Sequence, residues 1–273
     1  MTRGCEPQER TFNMPRIYPL FSSSKGNATY IGSTAEGILV DCGVSCTRLK
    51  KALELNGLSM DCVKGIFITH EHSDHVKGLE VTARKYRIPV YSSTDTLDVL
   101  SDRGLISFKA MDIKGSVGIA GMTVTPFETS HDAADPCGYR IDFDTGESCC
   151  TCTDLGYVSK KVKAAVKGTN AILLEANYDE TMLREGPYPA ELKERIRSKY
   201  GHLSNNDSGE FAAELVKSGT ARLILGHLSQ ENNTPETAVA TVTDILYGHG
   251  FDSDRDYILS CAPVETGGGY IAF

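Results

Sequence analysis

The sequence predicts one α/β domain in which helices cover the outer faces of β-sheets. Three observations carry that expectation. Short β runs come first and are followed by strands alternating with helices, the order that layered sheets and helices produce. Some strands, such as "VKGIFIT", are near-continuous apolar runs, as in a strand buried on both faces. The 273-residue chain is 40% hydrophobic, and no low-complexity linker or short-period repeat divides it.

Residues 1–14 ("MTRGCEPQERTFNM") lack the apolar centre of a secretory signal. They are expected to form a disordered extension ahead of a domain over 15–273, and Met14 is a second candidate for the start. "RIYPLF", "NATYIGS" and "GILVDCG" read as strands separated by glycine-containing turns. "CTRLKKALELNG" places Leu49, Ala52 and Leu53 on one helical face, with Gly57 as its stop. After "VKGIFIT", the segment "HVKGLEVTARKYR" spaces Val76, Leu79, Ala83 and Tyr86 as a helix. A second set of β signals runs from about Phe108 to Thr153, around "GMTVTPF" and "GYRIDF". "YVSKKVKAAVKG", "AELKERIRSKY", "GEFAAELVKSG" and "PETAVATVTDILYGHG" then read as helices, interleaved with strands "NAILLEA", "ARLILG" and "DYILSC". The glycine-rich "ETGGGYIAF" has no helix after it and reads as a chain end, not a phosphate cradle.

Composition narrows the function classes. No apolar run approaches the roughly eighteen residues a membrane span needs. The nine cysteines are odd in number and show no repeated pairs, so reduced thiols of a cytoplasmic protein are expected. "SCCTCTD" (148–154) is dense enough for a soft-metal or redox site, but thiols packed in a strand core are the simpler reading. A net charge of −8 argues against a purely electrostatic nucleic-acid binder. It does not exclude an enzyme acting on nucleic acid, because bound divalent ions dominate the local field. Basic clusters occur at Arg84-Lys85-Arg87, Lys160-Lys161-Lys163 and Lys193-Arg195-Arg197-Lys199.

One stretch carries the chemistry. "FITHEHSDHVKG" (67–78) crowds His70, His72, Asp74 and His75 into the loop after a buried strand. His70 and His72 are two apart, so in an extended segment they point the same way. Asp74 and His75 can face a second point nearby. One ion per pair follows, and imidazole with carboxylate suits Zn²⁺, Mn²⁺ or Fe²⁺.

The spacing H-x-H-x-D-H resembles the metallo-β-lactamase superfamily. That resemblance implies an αββα four-layer sandwich, two packed sheets with helices outside. It also implies a third histidine, a bridging aspartate and a last histidine from later loops. "ETSHDAADPCGYRI" supplies His131, "TCTDLGY" supplies Asp154 and "RLILGHLS" supplies His227, in that order. The implied set is His70, His72 and His131 on one metal and Asp74, His75 and His227 on the other, with Asp154 bridging. Two divalent ions about 3.5–4 Å apart can share a hydroxide and clamp an in-line displacement.

"AILLEANYDETML" and "GHLSNNDSGEF" resemble, more distantly, ribonuclease Z, in which a Glu–His pair protonates the leaving oxygen. Here the pair would be Glu175 and His202, and a carboxylate beside a histidine favours the protonated imidazole a general acid needs. Leu174 and Asn177 depart from the ribonuclease Z motif. Asp74, Glu175 and His202 are the catalytic candidates; His249 is left over and reads as a surface helix end.

Residues 16–264 resemble the YycJ (WalJ) family through "FSSSKGNATYI", "ILVDCGVSCTRLKKALELNGL", "ITHEHSDHVKGL", "SHDAADPCGYRI", "TDLGYV", "LLEANYD", "GHLSNNDSGEF" and "LGHLSQENNTP". Members usually open with "SGSSGN" where this chain has "SSSKGN". The resemblance implies a metal-dependent 5′-to-3′ DNA exonuclease in cytoplasmic DNA repair, its partner DNA rather than RNA or a membrane. A thioester or lactone hydrolase, or an RNA-directed nuclease, would share the same metal ligands.

Overall fold

The computed structural model describes residues 14–106 and 108–273. The expected N-terminal extension therefore lies outside the described residues, apart from an exposed Met14. The first sheet is built from β1 (Arg16–Ser23), β2 (Gly26–Gly32), β3 (Gly37–Val40), β4 (Val63–Phe67), β5 (Val90–Ser92) and β6 (Ala110–Asp112) in that order, with β14 (Ile271–Ala272) beside β1. The second contains β7 (Val117–Ile119), β8 (Met122–Glu128), β9 (Cys137–Phe143), β10 (Ser148–Cys152), β11 (Ala171–Glu175), β12 (Arg222–Gly226) and β13 (Ile258–Cys261), again in sequence order across the sheet.

Helices cover the outer faces. α1 (Cys46–Leu55), α2 (Ser73–Val76), α3 (Leu79–Tyr86) and α4 (Thr94–Asp102) belong to the first half. α5 (Lys160–Val166), α6 (Glu180–Glu185), α7 (Ala190–Arg197), α8 (Asn205–Lys217) and α9 (Pro235–Gly248) belong to the second. The period-2 alternation of strands explains why both faces are apolar. Leu39, Ile66 and Ile68 pack outward against Leu49, Leu53 and Leu79. Ile38, Val40 and Phe67 point inward and meet Tyr139, Leu173 and Ile224 from the second sheet. Ile172, Leu174 and Leu225 pack under Val162, Phe211 and Val242. Three apolar layers thus separate four layers of secondary structure, the αββα sandwich expected.

Each sheet starts antiparallel and becomes parallel, from β3 to β6 in one and from β10 to β13 in the other. Parallel strands bring their carboxyl ends to one edge, where ligands bind in such sheets. That edge is tied across the interface. Phe67 stacks on Tyr91 with centroids 4.6 Å apart and meets Tyr139 edge-on at 5.5 Å. The Tyr139 hydroxyl donates to the Ile68 carbonyl at 2.6 Å.

Three sequence expectations need correction or completion. "HVKGLEVTARKYR" is not one helix but breaks between α2 and α3. The cause is a close crossing: Gly78 N–H donates to Cys42 O at 2.9 Å, and a Cβ at Gly78 would sit 1.9 Å from Val44 O. The glycine-rich terminus is more than a chain end, since Ile271 and Ala272 pair with Ile17 and Arg16. The strand "SCCTC" is core, with Cys149 facing the other sheet and Cys150 and Cys152 under the helices. Burial pushes all three thiols up, and every described cysteine is free. α1 follows its sequence signals closely: Ser45 caps it, Asn56 closes it, and Gly57 turns with φ +71°. No described helix is long and apolar enough to cross a membrane.

Gly43 shows how tightly the site loops are packed. A Cβ there would lie 1.6 Å from the Asp74 carbonyl oxygen. Gly43→Ala is expected to cost roughly 1–3 kcal/mol and to displace the Asp74 loop. Chemical denaturation together with metal titration would check both effects; an alanine variant with native stability would refute the close-packing argument.

Candidate metal centre

Every candidate residue lies at the shared carboxyl edge. His70 follows β4, and His72 is the residue from which α2 starts. His131 follows β8, Asp154 follows β10, Glu175 ends β11, His202 precedes α8 and His227 follows β12. Two of them, Asp154 and His227, adopt left-handed backbone at φ +58° and +54°, as does Asp41 at +62°. Such conformations cost about 1–3 kcal/mol each and persist when surrounding bonds hold them. Here His227 N–H donates to Ser22 Oγ at 2.8 Å, and Asp41 N–H to Phe67 O at 2.9 Å.

The side chains converge in overlapping groups. His70, His72 and His131 form one, with their donor atoms within 4.8 Å of each other. Asp74, His75 and His227 form another. Asp154 belongs to both sides, grouping with His70 and His75 and again with Glu175, His202 and His227. His131 Nε2 is 3.3 Å from His72 Nδ1. His75 Nε2 lies 3.4 Å from Asp74 Oδ2 and 3.5 Å from Asp154 Oδ2. His227 is 3.4 Å from Asp154 through Nδ1 and 3.7 Å from Asp74 through Nε2.

Outer partners aim the ring nitrogens inward. His75 Nδ1 is 2.8 Å from Asp41 Oδ2, leaving Nε2 for the cluster. His70 Nδ1 meets Thr69 Oγ1 at 2.9 Å, and that hydroxyl donates on to Asp41 at 3.0 Å. His131 Nδ1 donates to Gly201 O at 3.1 Å. Carboxylate or carbonyl contacts of this kind set the tautomer and basicity of metal-binding histidines. Three atoms so aimed, His70 Nε2, His227 Nε2 and Asp154 Oδ2, are buried without a hydrogen-bond partner. Buried polar atoms are costly unless satisfied, and divalent cations would satisfy all three. The residues fit the expected ions.

Glu175 is fully buried and well satisfied. Oε1 is 2.8 Å from His202 Nδ1 and 2.9 Å from His227 Nδ1, while Oε2 accepts N–H bonds from Leu155 and Leu203 at 3.0 and 3.3 Å. Burial alone would raise its carboxyl pKa, but His202 and His227 hold it well below the usual range. Asn177, flagged above as a departure, donates to the His227 carbonyl at 2.7 Å. His249, by contrast, caps α9 at the surface and pairs with Glu210, 2.9 Å away.

Without metal, protons stand in for cations. Burial would depress His227, yet Asp154, Asp74 and Glu175 raise it to about 10. His75 is likewise raised well above its ordinary value, by Asp41, Asp154 and Asp74 against burial. His70 is driven well below its ordinary value by burial and by the neighbouring imidazoles. For His227 the folded value exceeds the unfolded one near 6.5, so its stabilisation is complete below pH 6.5 and is lost as pH rises through about 10. Metal binding needs the neutral ring, so affinity should rise over the same window. Melting curves of EDTA-stripped protein are therefore expected to fall in that window, while metal-loaded protein resists the fall. Parallel curves for the two forms would refute the exchange of protons for ions.

Asp41, Thr69 and Asn27 were not singled out by the sequence, although they hold the candidate ligands; Asn27 Nδ2 donates to Asp74 Oδ2 at 3.2 Å. Asn27 and Asp41 lie in "GNATYI" and "ILVDCG", polar residues at the start and end of apolar strands, but their targets Asp74 and His75 are 34 to 48 residues away.

The description "Beta-lactamase superfamily domain" matches residues 37–228. The chain is 38% identical over 240 residues to exodeoxyribonuclease YycJ of Bacillus anthracis, covering 85% of this chain and 89% of the relative. It is 37% identical over 234 residues to exodeoxyribonuclease WalJ of Streptococcus pneumoniae serotype 2, covering 83% and 86%. The solved metallo-β-lactamase fold protein YhfI from Bacillus subtilis matches with TM-score 0.72 at 13% identity, over 96% of this chain and 100% of that one, a likeness of fold. A domain match over most of the chain and identity this high across nearly the full length make it a hydrolase that belongs to the β-lactamase superfamily and, within it, to the family of the YycJ and WalJ exodeoxyribonucleases.

Proposed function

We propose that the chain is a divalent-metal-dependent phosphodiesterase that removes nucleotides from DNA in the 5′-to-3′ direction. His70, His72, His131, Asp74, His75 and His227 would hold two ions, Zn²⁺, Mn²⁺ or Fe²⁺, with Asp154 between them. The observation that carries this reading is the Glu175 carboxylate, whose Oε1 contacts both His202 and His227. It joins a proton-bearing group to the ligand cluster. The ions, when bound, would supply an activated water and neutralise the non-bridging phosphate oxygens.

The chain's own residues supply the rest. Glu175 engages His202 Nδ1, so Nε2 is the atom left to carry a proton to the departing 3′ oxygen. The His202 side chain is 20% exposed, within reach of a substrate, whereas Glu175 is sealed. Products would be a 5′-phosphate and a 3′-hydroxyl. Thioester hydrolysis, with its easily expelled thiolate, has less need of such an acid. The free thiols fit a cytoplasmic setting, and DNA repair fits the chemistry.

The test incubates metal-reconstituted protein with 5′-labelled and 3′-labelled DNA and RNA, single- and double-stranded, beside an Asp74→Ala control. Mononucleotides released from the 5′ end of DNA, and lost in the control, are expected. Turnover of a thioester or lactone with no nucleic-acid cleavage would overturn the reading.

A further inference from the structure

Two tyrosine rings stand half out of the surface on the loops that carry the cluster. Tyr157 is 48% exposed and comes three residues after Asp154; Tyr200 is 51% exposed and comes two before His202. Their loops are in backbone contact. A Cβ on Gly156 would lie 2.3 Å from the carbonyl carbon of Lys199, so each tyrosine is the residue next to the crossing. Gly156 N–H also donates to Ser130 O at 2.8 Å, and Gly201 O accepts from His131. The loops bearing His131, Asp154 and His202 are thereby stitched into one rim.

In a chain of net charge −8 the rim carries cations on its Tyr200 side, whereas Tyr157 shares a cavity with Lys163, Asp207, Glu210 and Glu214. Lys160, Arg197 and Lys199 are exposed, and among the described residues none of the three makes an ion pair, whereas Arg195 is paired with Asp132 at 2.6 Å. The Lys199 ammonium sits 5.2 Å from the centre of the Tyr200 ring. Exposed aromatic faces interleaved with free cations are the chemistry that grips a single nucleic-acid strand: bases stack on the rings and phosphates meet the cations. A folded duplex end shields its base faces and cannot use the rings in this way.

We propose that Tyr157 and Tyr200, with Lys160, Arg197 and Lys199, form a stacking rim that takes unpaired bases of the DNA strand entering the cluster. The inference rests on the phosphodiesterase reading above and adds that the strand is engaged unpaired. Stacking on the rings would hold the chain in register while the phosphodiester lies over the cluster, and the side-chain cations would set the salt dependence.

The test measures binding in EDTA, so that no cleavage intervenes, by anisotropy of a dye-labelled oligothymidylate of about 20 nucleotides. Tyr157→Ala and Tyr200→Ala are each expected to weaken binding roughly tenfold. Tyr157→Phe and Tyr200→Phe keep the ring and should restore affinity. With 12 tyrosines and no tryptophan, the chain also reports by its own emission: bound DNA should quench the wild type, and each Phe variant should lose part of that quench. Lys199→Ala should reduce the slope of log affinity against log salt by roughly 0.7. All five changes are at exposed side chains, and unchanged melting curves would certify the fold. If metal-loaded wild type cleaves DNA but the alanine variants bind oligothymidylate as tightly as it does, the rim is refuted and the phosphodiesterase reading stands. Wild type that neither binds nor cleaves DNA would refute both.

Discussion

Asp154→Ala is expected to abolish phosphodiester cleavage and to destabilise the EDTA-stripped protein by roughly 3–5 kcal/mol, the cost of leaving buried charges without their partner. Asp154 is buried, and its two oxygens stand 3.5 Å from His75 Nε2, 3.4 Å from His227 Nδ1 and 3.8 Å from His131 Nε2. His227 and His75 are both held toward the protonated form in part by this carboxylate. Removing it strands positive charge in the core and also deletes the carboxylate that groups with His70 and His75 and again with His227. Asp154→Asn keeps the volume and separates the two effects, since the amide offers one neutral acceptor but no charge. Denaturant unfolding and metal stoichiometry of the purified variants provide the readout. A variant that keeps two tightly bound ions and native turnover would remove Asp154 from the centre.

The second large effect separates His202 from Glu175. His202→Ala is expected to lower turnover about 10²–10⁴-fold, the range for a general acid, with metal content unchanged. Glu175→Gln should reduce turnover too, and in addition weaken metal binding roughly 10- to 100-fold, because the same oxygen that contacts His202 also orients His227. A nitrophenyl phosphodiester sharpens the test. Its leaving group departs without a proton, so His202→Ala should cost little with that substrate while Glu175→Gln still weakens the ions. Equal losses on both substrates in His202→Ala would show that His202 acts on something other than the leaving oxygen.

Much of the architecture was legible in local sequence. Runs such as "VKGIFIT" and "NAILLEA" are apolar on both faces because they lie between an outer helical layer and a second sheet, and they became β4 and β11. α1 was marked by its face of Leu49, Ala52 and Leu53, and "PETAVATVTDILYGHG", read as a helix, became α9; the structure adds a Thr234 cap and Pro235 in its first turn. The break between α2 and α3 was not legible. The spacing of Val76, Leu79 and Ala83 suits a continuous helix, and only the passage of residues 42–44 against Gly78 interrupts it. Short elements such as β5 and β6 carry too few residues for a period to show.

The candidate site divides in the same way. Residue types and spacing alone named His70, His72, Asp74 and His75; the resemblance to the metallo-β-lactamase superfamily pointed to His131, Asp154 and His227, and the more distant one to ribonuclease Z pointed to Glu175 and His202. A polar group at the end of an apolar strand is a local feature, written in the chain. Which groups meet is not local. The Asp41 carboxylate, which aims His75 and accepts from the Thr69 hydroxyl, and the Gly201 carbonyl that turns His131 come from segments 28 to 70 residues away along the chain. So does the second contact of Glu175, whose His227 partner is 52 residues away. Side-chain chemistry and periodicity are properties of neighbours along the chain, and they determined the elements and the inventory of polar groups. The tertiary structure decided the tautomers, the charge balance and the sharing of one carboxylate by two histidines, because those depend on distances of about 3 Å that only packing of distant strand ends can set.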